Sequence, residues 1–177
     1  MRRALFLDRD GTLMEDVGYC AHPDRVQLFP GVSGALRSLK LDGWLLIVVT
    51  NQSGVARGYF TEEEYRLVEQ EVDRQLPGLI DRTYVSFDGP ESTSGRRKPG
   101  VGMLEEAVAE FGIDPAVSFM IGDKSSDVAC GRAAGCGTIL VLTGEGRQHL
   151  DCGADLVVDD LVSAASVLRK LQREEAT

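Results

Sequence analysis

The sequence lacks a hydrophobic run long enough to cross a membrane. Its longest apolar run, Trp44 to Val49, covers six residues, whereas a membrane-spanning helix needs about 20. Only four apolar residues separate the basic start Arg2-Arg3 from Asp8, which is too few for the hydrophobic part of a secretory signal. We therefore expect a cytoplasmic protein that does not contact a membrane.

The chain also lacks an excess of positive charge. It carries 19 Lys and Arg against 28 Asp and Glu, giving a net charge of -9, whereas nucleic-acid-binding proteins present basic surfaces. We therefore expect no nucleic-acid partner, while a small phosphorylated molecule needs only a few local cations. The acidic composition and the lack of an obvious apolar patch favour a monomer.

Paired cysteines are missing as well. None of Cys20, Cys130, Cys136 and Cys152 belongs to a C-x-x-C pair, and in a cytosolic chain such residues are by default reduced, buried thiols. A zinc site built from Cys130, Cys136, His149 and Cys152 is a less favoured alternative, because these spacings fit no common zinc finger.

What the chain does contain is a regular alternation of strand and helix patterns. Predicted strands cover residues 4–7, 44–49, 83–87, 118–121, 138–142 and 156–158, and predicted helices cover 31–41, 61–76, 101–111, 126–134 and 161–171. Alternation of this kind predicts an α/β fold, a Rossmann-like parallel sheet with helices on both faces. With no repeat, linker or insertion large enough for a cap, residues 1–177 are predicted to form one capless domain. Residues 173–177 are expected to fray.

The first predicted strand ends on two aspartates, Asp8 and Asp10, followed by Gly11. Residues two apart in an extended chain point the same way, so both carboxylates should project from the carboxyl end of the strand. Ligands bind at that edge in open α/β sheets. Taken alone, the stretch also fits an ordinary acidic Asp-Gly turn.

Three further polar groups follow later strands and should converge on the same edge. They are Thr50, Asn51, Gln52 and Ser53 after the second strand, Arg97 and Lys98 after the third, and Asp123, Lys124 and Asp127 after the fourth. Singly, these groups also fit a polar turn, a solvated charge pair and the capping acids of a helix.

Together, the four groups have the chemistry of phosphoryl transfer. Carboxylates suit Mg²⁺, hydroxyl and amide groups donate to phosphate oxygens, and a lysine adds positive charge. One aspartate can attack phosphorus to give an aspartyl-phosphate, while the second acts as general acid and base.

The stretch Asp8-Arg9-Asp10-Gly11-Thr12 resembles the first motif of the haloacid dehalogenase superfamily of phosphatases, in the branch of heptose bisphosphate and histidinol phosphatases. The resemblance implies that Asp8 is the nucleophile and Asp10 the general acid/base. Stretches resembling the other motifs are Thr50–Gly58, Arg97-Lys98-Pro99 and Gly122–Asp127.

The same resemblance implies the remaining roles. Thr50 and Lys98 would hold the phosphoryl group, and Asp8, Asp10, Asp123 and Asp127 would bind Mg²⁺. The residues expected to bind substrate are Arg9, Asp16, Gly18, Tyr19, Asn51, Gln52, Ser53, Arg57, Arg97 and Lys124.

One departure from the family concerns the stretch before Arg97. Relatives carry a zinc-binding loop of one His and three Cys there, whereas residues 86–96 contain neither residue type. We therefore expect no structural zinc, and a loop of different shape beside the substrate.

These observations lead to the expectation of a Mg²⁺-dependent phosphatase acting on a small sugar phosphate. By resemblance, the favoured substrate is D-glycero-D-manno-heptose 1,7-bisphosphate, which would lose its 7-phosphate. Histidinol phosphate or another small phosphomonoester is the alternative. Two further alternatives are a phosphotransferase and a phosphate-binding regulatory protein without turnover.

Overall fold

The computed structural model describes residues 2–175, which form a six-stranded sheet with all strands parallel. The strands are β1 (Ala4–Leu7), β2 (Leu45–Asn51), β3 (Arg82–Ser86), β4 (Phe119–Gly122), β5 (Gly137–Val141) and β6 (Leu156–Val158). Their spatial order is β3-β2-β1-β4-β5-β6. The order reverses at β1, so β1 marks the switch point beside which ligands bind in such sheets.

Within residues 2–175, five α-helices cover the two faces of the sheet, as the alternation predicted. They are α1 (Val32–Leu41), α2 (Glu62–Gln75), α3 (Gly102–Phe111), α4 (Ser125–Ala133) and α5 (Leu161–Glu175). Alternate β1 residues belong to different hydrophobic clusters. Leu5 and Leu7 pack in the cluster that includes α1, α2 and α5, while Phe6 packs in the one that includes α3 and α4. Burial on both sides explains the unbroken apolar run of β1.

Capping groups confirm the predicted start of α2 and the predicted end of α3. The hydroxyl of Thr61 accepts from the Glu64 N–H at 3.1 Å, and the Glu64 carboxylate accepts from the Thr61 N–H at 2.7 Å. This reciprocal pair is a capping box. Gly112 ends α3 in the left-handed conformation, with φ of 65°.

Two predicted boundaries differ from the structure by more than one residue. Strand β2 continues through Thr50 and Asn51, because these residues pair with Val85 and Ser86 of β3 and the ladder does not stop where polar side chains begin. Helix α5 extends to Glu175, although fraying was expected from Arg173. The last two residues of that prediction, 176 and 177, lie outside the described residues.

The loops at the carboxyl ends of the strands surround the candidate site. The loop after β1, residues 8–31, contains a short 3₁₀ turn at Pro23–Arg25 and a bridge between Met14 and Leu28. Residues 87–101 follow β3, and residues 142–155 follow β5. Within residues 2–175, no helix is both long and apolar enough to cross a membrane.

Candidate active site

A buried lysine joins two of the predicted carboxylates. The ammonium nitrogen of Lys98 lies 2.7 Å from Oδ1 of Asp8 and 2.7 Å from Oδ1 of Asp127. It also donates to the carbonyl of Val49 in β2 at 2.7 Å. An ammonium has three donors, so all three are engaged. Burial acts to lower the pKa of Lys98, but the carboxylates of Asp127 and Asp8 outweigh it and the pKa is raised. Lys98 is therefore cationic.

Three of the four predicted metal ligands form one group. Asp8, Asp123 and Asp127 are buried, and each offers an oxygen that lies within 4.8 Å of the others. Oδ1 of Asp123 is buried without a hydrogen-bond partner. Burial raises the pKa of Asp123 to about 8, and the neighbouring Asp8 adds to the effect. Burial likewise raises the pKa of Asp8, although Lys98 opposes it. Such a set of crowded oxygens, one of them unpartnered, fits a hard divalent cation.

Two glycines shape the space around Asp123. A β-carbon at Gly11 or at Gly144 would lie 2.2 Å from Oδ2 of Asp123, and these residues have φ of +88° and +54°. The same Oδ2 accepts from the Glu145 N–H at 2.8 Å. The loop after β5 therefore closes directly on the carboxylate, which a side chain at either glycine would displace.

The fourth predicted ligand, Asp10, has its carboxylate outside this group. Oδ2 of Asp10 accepts from Arg9 Nε at 3.1 Å and from Gln52 Nε2 at 2.8 Å. The carboxylate of Asp10 is not in the group formed by Asp8, Asp123 and Asp127, although Asp8 is near enough to act on it electrostatically. Burial raises the pKa of Asp10 although Arg9 opposes it. Asp10 instead lies at the wall of a cavity.

That cavity has a volume of about 930 Å³. The predicted site residues that line it are Asp10, Asp16, Gly18, Tyr19, Asn51, Gln52, Ser53, Arg97, Lys98 and Lys124. The loops after β1 and β3 both contribute to the lining. A cleft of this size suits a small polar ligand with several phosphate or hydroxyl groups.

Two predicted substrate-binding residues do not line the cavity. Arg9 is 2% exposed, and its guanidinium lies on the Asp10 carboxylate and 5.5 Å from the centre of the Tyr65 ring. Arg57 is exposed in the turn after Ser53. The structure thus places Arg9 behind Asp10 rather than on the cavity lining, and it places Arg57 at the surface.

Thr50 and Asn51, at the end of β2, form hydrogen bonds to residues that line the cavity. Thr50 is 1% exposed, and its hydroxyl accepts from Gln52 Nε2 at 2.8 Å. Asn51 lines the cavity, while its side chain bonds the main chain of Lys98 at both N–H and carbonyl.

Glu145 is one of the cavity residues that were not predicted from the sequence. The ammonium of Lys124 lies 3.3 Å from Glu145 and 3.2 Å from Asp16, so Lys124 is held between two carboxylates. Burial acts to lower the pKa of Lys124, but Asp123 and Asp16 outweigh it and the pKa is raised. Glu145 follows β5, and the rule that strand ends share one edge, applied to that strand as well, would have found it.

Hydrogen bonds organise the loop that contains no zinc ligands. Oδ2 of Asp88 accepts from the hydroxyls of Ser86 at 2.9 Å and Ser94 at 2.6 Å. The carbonyl of Asp88 accepts from the Arg97 guanidinium at 3.2 Å. These hydroxyls lower the pKa of Asp88, so this residue is an ionised acceptor at the centre of the loop.

The alternative zinc site does not form among residues 2–175. His149 lies 3.7 Å from Glu145 rather than among thiols, and the group of potential ligands that the described chain assembles consists of Asp8, Asp123 and Asp127. All four cysteines are free; Cys20, Cys130 and Cys136 are buried as expected, whereas Cys152 is partly exposed.

Known proteins share both the sequence and the fold. A HAD-hydrolase-like family model matches residues 95–164. A D-glycero-beta-D-manno-heptose-1,7-bisphosphate 7-phosphatase from Haemophilus ducreyi is 40% identical, with 91% of this chain and 95% of the relative covered. A protein of the same name from Escherichia coli K12 is 37% identical, with 96% and 95% covered.

A solved structure agrees with these relatives. A D,D-heptose 1,7-bisphosphate phosphatase from B. bronchiseptica, complexed with magnesium and phosphate, matches with a TM-score of 0.88 and 30% identity, covering 97% of this chain and 99% of that one. The fold and the carboxylate edge define a haloacid dehalogenase-like hydrolase. Given the extent of the sequence matches, the chain belongs to the D-glycero-beta-D-manno-heptose-1,7-bisphosphate 7-phosphatase family.

Proposed function

We propose that this protein is a Mg²⁺-dependent phosphatase that removes the 7-phosphate of D-glycero-β-D-manno-heptose 1,7-bisphosphate. The observation that carries the proposal is the position of Asp8. Its carboxylate is paired with Lys98 at 2.7 Å and stands in a group with Asp123 and Asp127, beside a cavity of about 930 Å³. The relatives that match nearly the whole chain bear the name of this activity.

The proposed reaction begins with attack by Asp8 on the phosphorus of the 7-phosphate. An aspartyl-phosphate forms as the bond from phosphorus to the sugar oxygen breaks. Asp10 donates a proton to that leaving oxygen. The raised pKa of Asp10, caused by burial and opposed by Arg9, supports its presence as an acid.

Hydrolysis of the intermediate reverses the role of Asp10. The ionised carboxylate of Asp10 takes a proton from a water molecule, whose oxygen attacks phosphorus. The bond to Asp8 breaks, inorganic phosphate leaves, and both aspartates return to their starting state. Thr50 accepts a hydrogen bond from Gln52 and thereby keeps its hydroxyl hydrogen for a phosphoryl oxygen. The Lys98 charge offsets the negative charge gathered at Asp8 and phosphate.

We propose that Asp8, Asp123 and Asp127 hold Mg²⁺. When bound, the cation would neutralise part of the charge on the phosphoryl group. The unpartnered Asp123 oxygen and the crowding of three carboxylates support this assignment. The carboxylate of Asp10, the fourth expected ligand, lies outside this group and accepts hydrogen bonds from Arg9 and Gln52.

The test is phosphate release from the heptose bisphosphate, with the product identified by phosphorus NMR. We expect release only with Mg²⁺ and a product that keeps its 1-phosphate. Asp8→Asn should be inactive, because an amide does not form the aspartyl-phosphate. Full activity of Asp8→Asn would overturn the nucleophile assignment. A product that keeps its 7-phosphate would overturn the regiochemistry.

The other candidate functions are separated by the same assay. Turnover of histidinol phosphate in preference to the heptose bisphosphate would indicate a histidinol phosphatase. Phosphate appearing on an added alcohol would indicate a phosphotransferase. Tight phosphate binding without turnover would indicate a regulatory protein, a reading that the presence of both Asp8 and Asp10 disfavours.

We also propose that residues 1–177 act as one domain, as a monomer in the cytoplasm. The single sheet contains strands from Ala4 to Val158, and one chain supplies every residue of the proposed mechanism. Four free thiols suit a reducing compartment. Sedimentation tests whether the protein is a monomer, and cell fractionation tests whether it is in the cytoplasm.

A further inference from the structure

The side chain of Asn51 makes two hydrogen bonds to one residue. Its Oδ1 accepts from the main-chain N–H of Lys98 at 3.0 Å, and its Nδ2 donates to the main-chain carbonyl of Lys98 at 3.0 Å. The amide therefore pairs with Lys98 as a neighbouring strand would. One donor of Asn51 remains for other partners.

The main chain of Lys98 has no neighbouring strand to pair with, because Lys98 lies outside the sheet. It lies in a turn after β3, in which Gly100 N–H donates to Arg97 carbonyl at 2.7 Å, rather than in a strand. Its side chain has four flexible carbons. The contacts of the ammonium alone would therefore fix the charge while leaving the path of the main chain free.

Both ends of Lys98 are attached to the same strand. The ammonium donates to the Val49 carbonyl at 2.7 Å, while Asn51 holds the main chain. Val49 and Asn51 are two residues apart in β2, which is paired on both sides, with β1 and β3. Lys98 is thus held at two points by the element that pairs directly with β1, the strand that leads into Asp8.

We propose that Asn51 is a positioning residue for Lys98, and that it supports catalysis of the phosphoryl step rather than recognition of the sugar. The inference rests on the proposed function. It differs from the role that the family resemblance implies, in which Asn51 contacts substrate. Asn51 does line the cavity, so the two roles require a direct test.

The test compares two substrates that share the phosphoryl group and differ in the rest. p-Nitrophenyl phosphate presents the phosphoryl group without the sugar, while the heptose bisphosphate presents both. In Asn51→Ala, we expect kcat to fall about 100-fold for both substrates, the loss that a displacement of about 1 Å causes. KM should change less than about threefold for both, because binding contacts remain.

A matched variant separates positioning from binding. Ser53→Ala changes another cavity residue, two positions further on, that has no contact with Lys98 among the residues described. Its effect should be confined to the heptose bisphosphate. Asn51→Asp keeps the volume and the acceptor for the Lys98 N–H but places an oxygen against the Lys98 carbonyl. We expect kcat of Asn51→Asp to fall for both substrates. This is the variant to assay if Asn51→Ala does not fold.

Two kinetic results would overturn the proposal. One is a loss in the Asn51 variants that appears only with the heptose bisphosphate, which would make Asn51 a substrate-binding residue. The other is unchanged kcat with both substrates. Wild-type protein that cleaves p-nitrophenyl phosphate with Mg²⁺ but leaves the heptose intact would refute the proposed substrate, while the Asn51 comparison would still be made on the small ester. A crystal structure of Asn51→Ala with Lys98 unmoved would also contradict positioning.

Discussion

The ammonium of Lys98 lies 2.7 Å from a carboxylate oxygen of Asp8, although 90 residues separate them in the chain. The two residues are 3% and 7% exposed. They come from neighbouring parts of one sheet edge, Asp8 directly after β1 and Lys98 from the loop after β3. A buried pair of this kind ties the candidate chemistry to the stability of the fold, since removal of one partner leaves the other charge uncompensated.

Lys98→Met should therefore lower both stability and activity. We expect the free energy of unfolding to fall by about 3 kcal/mol at pH 8, because Asp8 and Asp127 lose their shared cation. Urea denaturation measures the change, and phosphate release should fall below detection. Lys170→Met, which changes an exposed lysine of α5, serves as the control and should have little effect. Equal stability of the two variants would contradict the account.

Gly144→Ala should weaken the proposed metal site. The added carbon would lie 2.2 Å from Oδ2 of Asp123 and 2.6 Å from Cα of Gly11, so the carboxylate must move. We expect the Mg²⁺ concentration for half-maximal activity to rise at least about tenfold, the range seen when groups that orient a metal ligand are changed.

The control for this prediction is Gly78→Ala. Gly78 also has positive φ, +68°, but a β-carbon there meets nothing within 4 Å. It carries the same kind of backbone strain without the collision. If both variants need equally raised Mg²⁺, strain rather than displacement of Asp123 would explain the effect.

Stabilisation by Mg²⁺ should increase with pH. Burial raises the pKa of Asp123 from 3.8 to about 8, so between these values the folded metal-free protein keeps a proton that the unfolded chain has lost. Metal-free stability therefore falls as pH rises through this range. Mg²⁺ binds the deprotonated carboxylates, so the rise in Tm on adding Mg²⁺ should be larger at pH 8.5 than at pH 6.

Thermal unfolding at the two pH values, with Mg²⁺ and with EDTA, measures this difference. Asp123→Asn should abolish most of the Mg²⁺ effect and its pH dependence. A Mg²⁺ effect that is equal at both values, or larger at pH 6, would be inconsistent with a carboxylate cluster protonated in the absence of metal.

Asp88→Ala should impair substrate binding more than turnover. Its carboxylate accepts from Ser86 and Ser94, and its carbonyl accepts from Arg97. Loss of the carboxylate should loosen the loop beside the cavity, so KM for the heptose bisphosphate should rise about tenfold with kcat changed much less. Steady-state kinetics test this, with Glu91→Ala in the same loop as an exposed control. A fall in kcat at unchanged KM would contradict the assignment.

The sequence was sufficient to predict the order of elements, since buried parallel strands and amphipathic helices differ clearly in their apolar patterns. It also predicted that Asp8, Lys98, Asp123 and Asp127 would share one edge, because the carboxyl ends of parallel strands meet there. These distant residues are now seen in contact.

Local directions of side chains were harder to predict. Arg9 lies between two site aspartates in the sequence, yet it points into the interior toward Tyr65. The carboxylate of Asp10 lies outside the group that contains Asp8 and accepts from Arg9 and Gln52. Asn51 was expected to bind substrate, but its two bonds to Lys98 depend on the path of a loop that carries no periodic pattern. Pattern rules apply to regular elements, and these three residues lie at or beyond strand ends.

We propose that this family member cleaves a heptose bisphosphate although the loop before Arg97 lacks zinc ligands. The measurement that decides this is kcat/KM with Mg²⁺ for D-glycero-β-D-manno-heptose 1,7-bisphosphate and for histidinol phosphate, using the same protein preparation. We expect a value for the heptose at least about tenfold higher. Equal slow turnover of the two substrates, or preference for histidinol phosphate, would contradict the proposed substrate.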